Sequence, residues 1–133
     1  MNRIFALFIA ILIVGLSLAS CAPAVESGAD VQCKYVIYCS LNDAQTGVQQ
    51  LSVEDAKKMA REVITKRGLG YTEYAAYGGF VDGDKINGND TLVYTFFFIE
   101  KEDADAVAAH LKDELNLASV LMEEIQSVYG FVE

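Results

Sequence analysis

Lys34-Tyr-Val-Ile-Tyr-Cys-Ser-Leu41 is a β-branched and aromatic run that ends in Asn42-Asp43, the pattern of a strand closed by a turn. The next segment decides the fold. Ser52-Val-Glu-Asp55 resembles a capping box, with an acidic residue three positions after the serine. Behind it Val53, Ala56, Met59, Ala60, Val63 and Ile64 recur at helical spacing, and Gly68 is placed to stop the helix. A strand followed by an amphipathic helix opens a β-α-β unit.

Further along, Tyr71 to Val81 and Thr91 to Ile99 read as strands joined by the polar stretch Asp82-Gly-Asp-Lys-Ile-Asn-Gly-Asn-Asp90, expected to be a hairpin loop. A second helix carries Ala104, Val107, Ala108, Leu111 and Leu115 on one stripe, with Asp103 and Asp105 near its start to complement the helix dipole. Ser119 to Ile125 reads as a strand, continued or supplemented by Val128 to Val132. The order β-α-β-β-α-β with right-handed crossovers predicts an α+β fold, a ferredoxin-like sandwich in which two helices cover one face of a four-stranded antiparallel sheet. The other face stays open, and function is expected there.

Outside this unit the chain changes character. Arg3 is the one charge in residues 1–20, ahead of an apolar run from Ile4 to Val14 and a small-residue end. A basic start, a short apolar core and small residues build a secretory signal peptide, and the run is short of the roughly 20 residues a membrane span needs. Leu18-Ala19-Ser20-Cys21 resembles the lipobox of bacterial lipoproteins at all four positions. That resemblance implies cleavage before Cys21, a diacylglyceryl group on its thiol and acylation, such as palmitate, on its amino group. Two or more acyl chains hold a protein stably to a membrane, whereas one holds it marginally. Cleavage after Ala22 or Ala24, giving a free secreted protein, is the alternative. The expected organisation is a signal peptide over 1–20, lipidated Cys21 and a tether over 21–31, and the domain over 32–133. Ala22 is not the Asp of an inner-membrane retention signal, so a bacterium with two membranes would place the protein on its outer membrane, facing away from the cytoplasm.

The sequence also resembles a family of small exported bacterial domains of unknown function, over about residues 34–132. The resemblance lies in Gly70-Tyr71-Thr72, Gly78-Gly79-Phe80, Asp82-Gly83, Thr91-Leu92-Val93 and Ser119-Val120-Leu121. It implies the ferredoxin-like fold and no activity.

Composition excludes some roles. The 133 residues are 53% hydrophobic and carry 19 acidic against 10 basic side chains, a net charge of −9. An acidic chain lacks the basic footprint of a nucleic-acid binder. One Pro among plentiful Val, Ile, Phe and Tyr argues against disorder.

All seven tyrosines fall in predicted strands, so alternation should place some on the open face. Tyr35, Tyr38, Tyr74, Tyr77 and Tyr94 are the candidate ligand or partner surface, since phenol rings are flat, apolar and polar-tipped. Ordinary β-propensity and packing explain them better than a dedicated surface does, and where a surface is meant, a face-to-face homodimer is favoured over a small-molecule site because it also buries apolar area. Cys33 and Cys39 share one face of a strand but stand about 20 Å apart along it, so they are expected as two small buried thiols without a disulfide. The stretch Asp82, Asp84, Asn87, Asn89, Asp90 offers hard-cation oxygens but fails the EF-hand pattern, with Ile86 where a ligand belongs. Lys57, Lys58, Arg61, Lys66 and Arg67 on helix one could approach anionic lipid, yet Glu54 with Lys58 and Glu62 with Lys66 read as i,i+4 pairs on a solvated surface. His110 is the single histidine, and Glu123 and Glu124 point to opposite faces. No nucleophile elbow, phosphate loop, dinucleotide fingerprint or zinc motif is present, so no catalytic residue, metal or cofactor is assigned. The sequence therefore favours a membrane-anchored binding or assembly domain. The alternative is a small enzyme with its site on the open sheet face, similar to dimeric α+β barrel enzymes, and fold analogy is its sole support.

Overall fold

The computed structural model describes residues 30–131. The signal peptide, Cys21 and most of the expected tether lie outside the described residues. The elements run β1 (Asp30–Ser40), α1 (Val53–Thr65), β2 (Thr72–Asp82), β3 (Lys85–Phe96), α2 (Lys101–Glu114) and β4 (Val120–Tyr129). They form one antiparallel sheet in the order β2-β3-β1-β4, with both helices on one face. This is the ferredoxin-like α+β sandwich expected from the sequence.

Local chemistry sets the helix ends. Ser52 caps α1: its side chain accepts from the Asp55 backbone N–H at 3.1 Å while its hydroxyl donates to Asp55 Oδ2 at 2.7 Å. Such a cap is worth about 1 kcal/mol. Gly68 follows with φ +70°, the left-handed turn that ends a helix. The α1 stripe buries Ala56, Ala60, Val63 and Ile64, and the α2 stripe buries Ala104, Val107 and Leu111. Opposite them stand Ile37 and Cys39 of β1 and Leu92, Tyr94 and Phe96 of β3. Each large apolar side chain removed from water there stabilises the fold by roughly 1.5–3 kcal/mol. Among the described residues no helix is long and apolar enough to cross a membrane.

Three expectations are revised. The nine-residue hairpin loop is in fact strand: β2 and β3 stay paired down to Asp82↔Lys85, leaving a two-residue turn at Gly83-Asp84 with Gly83 at φ +60°. Positive φ at the first central residue matches the twist of the flanking strands, so polarity here marks a hairpin that projects into solvent. Asn87 and Asn89 are therefore strung along a strand, and among the described residues no three His, Cys, Asp or Glu side chains group as a metal site. Cys33 is half-buried where full burial was expected, because it lies near the start of β1, away from the core; among the described residues neither it nor buried Cys39 forms a disulfide. The α1 ion pairs also differ, since Lys57 meets Glu54 at 3.1 Å and Arg61 reaches across to Glu73 of β2. Of the two forms expected for the last strand, continuation holds, since β4 runs unbroken to Tyr129.

Asp43 holds two connections together. Its Oδ1 accepts from the backbone N–H of Thr46 at 2.8 Å and of Gln45 at 3.0 Å, and its Oδ2 accepts from Asn116. These bonds favour the carboxylate and hold Asp43 below its ordinary pKa. The loop after β1 is thereby fixed to the turn before β4, where Asn116 adopts φ +49°.

Candidate functional site: the uncovered sheet face

The register shows how the open face is built. In one row across the sheet stand Tyr74 of β2, Val93 of β3, Tyr38 of β1 and Leu121 of β4, since Val93 pairs with both tyrosines and Tyr38 pairs with Leu121. The next row replaces bulk with small side chains: Ala76 pairs with Thr91, and Thr91 with Ser40. Gly78 and Asn89 form the third. A tall row beside two short ones leaves a hollow of about 440 Å³, reaching Ser119 at one side and Tyr77 and Gly79 at the β2 edge. Gly78 suits this floor, because a Cβ there would come within 3.3 Å of Thr91 Oγ1 and press on it.

The polar groups are specific. Asn89 Nδ2 donates to Ser40 Oγ at 2.7 Å and to the Asp90 carbonyl at 2.8 Å, which leaves Asn89 Oδ1 to accept and the Ser40 hydroxyl to donate. Tyr38 donates its phenol proton to Glu123 Oε2 at 2.9 Å. That hydrogen bond, aided by partial desolvation and the carboxylate charge, raises the Tyr38 pKa above its ordinary value. Among the described residues that line the hollow the ionisable ones are three phenols, and Ser40 is bonded to an amide that cannot take its proton. The hollow offers aromatic walls and hydrogen-bonding edges.

The five tyrosines separate. Tyr38 and Tyr74 come together on the open face, flanking Val93. Tyr35 and Tyr94 lie on the helix side and are buried at 4% and 0% exposure. Tyr94 packs edge-on to Tyr71 with ring centroids 5.9 Å apart, and its buried hydroxyl has no hydrogen-bond partner among the described residues. Tyr77 shares the face of Asp90 and lays its ring over Gly88, where a Cβ would stand 2.2 Å from the phenol oxygen. It also walls a second, more polar hollow of about 390 Å³, bounded by Asn42, Gln49 and Asn87. Gln49 clamps Asp90 beside it, donating to Asp90 Oδ2 at 3.0 Å and accepting from its N–H at 3.1 Å. His110 is exposed on α2, the layer opposite the open face. Sequence reading missed Ser40, Ala76, Gly78 and Ser119, whose one signal is small size at matched register, invisible before pairing is known, and it noted Asn89 as a loop oxygen where the register places it on the open face opposite Gly78.

No family model matches the chain, and no curated protein matches it by sequence. Solved structures of similar shape do exist. A phage SAM lyase in its apo state is 14% identical, with a TM-score of 0.54 over 82% of this chain and 98% of that one. A phage SAM lyase in complex with S-methyl-5′-thioadenosine is 13% identical, with a TM-score of 0.51 over 76% and 92%. The periplasmic divalent cation tolerance protein CutA from Archaeoglobus fulgidus is 13% identical, with a TM-score of 0.51 over 75% and 88%. At such identities the likeness is one of fold, and a fold shared by a lyase and a cation tolerance protein does not choose a role.

Proposed function

We propose that this chain is a bacterial envelope lipoprotein, anchored through Cys21, whose domain is a binding module for a flat, largely apolar molecule on the uncovered sheet face. The observation that carries the binding reading is the hollow beside Tyr38 and Tyr74, floored by Ala76 and Gly78. Ring-on-ring contacts there contribute about 0.5–1.5 kcal/mol each beyond area burial. Asn89 Oδ1 and the Ser40 hydroxyl fix the ligand's edge. A binding role fits a hollow whose ionisable groups are phenols, one of them held protonated by Glu123. The anchor rests on Leu18-Ala19-Ser20-Cys21 and its apolar leader.

Ligand-observed NMR of the detergent-extracted full chain tests the hollow, using flat heteroaromatic fragments together with S-methyl-5′-thioadenosine, the molecule bound to one structural neighbour. At least one probe should bind, with Tyr74→Ala or Asn89→Ala weakening it about tenfold, or 1.4 kcal/mol. Binding indifferent to both substitutions, or no binding at all, refutes the site; turnover of a bound probe would replace the module by an enzyme. Separately, Cys21→Ala should move the protein out of membrane fractions and abolish labelling by a clickable fatty acid. Unchanged membrane retention would refute the anchor.

A further inference from the structure

Three strand ends meet at one pole of the domain: the start of β1, the end of β3 and the end of β4. Asp30 pairs with Tyr129, and Tyr35 pairs with Phe96 just before the chain leaves the sheet as Phe97-Phe98. At this pole the aromatic side chains turn outward. Phe98 lies edge-on to Tyr129 with centroids 5.0 Å apart and stacks on Phe131 at 6.2 Å, while Phe97 contacts Phe98 at 6.1 Å. Phe98 is 52% exposed and Phe131 is 83% exposed. Beside them Lys34 Nζ sits 5.8 Å from the Phe97 ring.

Phe98 also has φ +60°, a backbone conformation that bulky residues rarely adopt. Strain of this kind persists where the surrounding structure enforces it and is a pointer to function. An exposed aromatic cluster of this sort marks a surface that meets something apolar.

The chain itself indicates what that is. Residues 22–29 alone separate Cys21 from Asp30, and even fully extended they span at most about 32 Å. The opposite pole, at Ile86, lies about 33 Å further along β3 from Phe96. If Cys21 carries acyl chains, the aromatic pole is the one held next to the bilayer.

We infer that this aromatic cap, Phe97, Phe98, Tyr129 and Phe131, seats the domain on the membrane, its rings entering the headgroup–acyl boundary of the leaflet that holds the Cys21 lipid. The inference rests on the anchor proposed above. Rings with one polar tip, such as Tyr129, and a nearby lysine suit that boundary. Seating by this pole fixes the sheet upright on the membrane and keeps the hollow away from lipid. It also turns the β2–β3 hairpin outward.

The chain contains no tryptophan, so single tryptophans report position without background. Full-length lipoprotein carrying Phe98→Trp, Phe131→Trp or Ile86→Trp would be reconstituted in phosphatidylcholine vesicles with or without brominated acyl chains. Phe98→Trp and Phe131→Trp should shift emission to the blue and lose about half their intensity to bromine, as rings 5–10 Å deep would; Ile86→Trp should do neither. Phe131→Trp keeps the test valid if the strained position rejects the larger ring. Protein that floats with vesicles and carries the fatty-acid label, yet shows no bromine quenching at either position, overturns the seating and leaves the anchor standing. Tryptophans shielded from aqueous acrylamide but not quenched by bromine would mean a second copy covers the cap, and overturn it too. Loss of both label and flotation defeats the anchor and the seating together.

Discussion

Both faces of the sheet are apolar at their centres, yet they are closed in different ways. On one face Ile37, Leu92 and Phe96 lie under two helices and are 0–1% exposed. On the other, Val93 is equally buried at 1% with no helix above it, and Tyr38 and Tyr74 flank it from the neighbouring strands. The first closure is made by a second layer and is continuous. The second is made by two side chains of the sheet itself and stops abruptly at Ala76 and Thr91, where the hollow begins. A face closed by its own side chains keeps its rings available to something else, whereas a face closed by helices has none to spare.

Truncation on the two faces gives the largest test of that contrast. Phe96→Ala opens a cavity beneath both helices and should destabilise by about 3–5 kcal/mol. Val93→Ala loses two methylenes' worth of burial, about 1.5 kcal/mol, and its vacancy opens into the hollow. Urea unfolding measures both. Equal losses would mean that the tyrosine cover packs as a true layer and is not free to receive a ligand.

How far the sequence discloses the architecture depends on the same contrast. Both helices were legible because each has a single apolar stripe, and Ser52 and Gly68 mark the ends of the first. The strand order came from the alternation of elements. The faces of the tyrosines were not legible. In β1 Tyr35, Val36, Ile37 and Tyr38 are apolar in succession, so a central strand loses the alternation that tells one face from the other. The β2–β3 hairpin misled for the opposite reason: from Lys85 to Gly88 both its faces meet water, so it reads as a loop, although Gly88 lies beneath the Tyr77 ring. Ser40, Ala76 and Asn89 come together through register, which is a pairwise property that no single segment carries.

Tyr94 gives a test of intermediate size. Its hydroxyl is buried on the helix face without a partner among the described residues, whereas the Tyr38 hydroxyl on the open face donates to Glu123. Leaving a buried polar group unsatisfied costs about 1–3 kcal/mol, so Tyr94→Phe should raise stability by about 1–2 kcal/mol. Tyr38→Phe gives up a hydrogen bond to an exposed carboxylate and should change stability by less than about 0.5 kcal/mol. A destabilised Tyr94→Phe would show that water or another group satisfies the hydroxyl inside the core.

The two thiols of β1 provide the finest comparison, since both stand on the helix-side face and differ in cover. Cys39 is fully buried, and desolvation pushes its pKa from 9.0 up to about 12. Cys33 is half-exposed near the strand start, with its Sγ 3.5 Å from Glu124 Oε1, and its pKa is raised by partial desolvation and by that carboxylate. A raised folded value means the native state keeps the proton that the unfolded chain releases. The Cys39 contribution is therefore complete below pH 9 and is lost as pH climbs from 9 through 12. At 1.36 kcal/mol per pH unit, raising pH from 8 to 10 should remove about 1.4 kcal/mol of stability in excess of what a Cys39→Ala chain loses. An aromatic disulfide reagent at pH 8 should modify Cys33 in the native protein and reach Cys39 only at the rate of unfolding. Native-state labelling of both at similar rates would mean that the helix layer opens readily over β1, and the difference in closure between the two faces would then be one of degree.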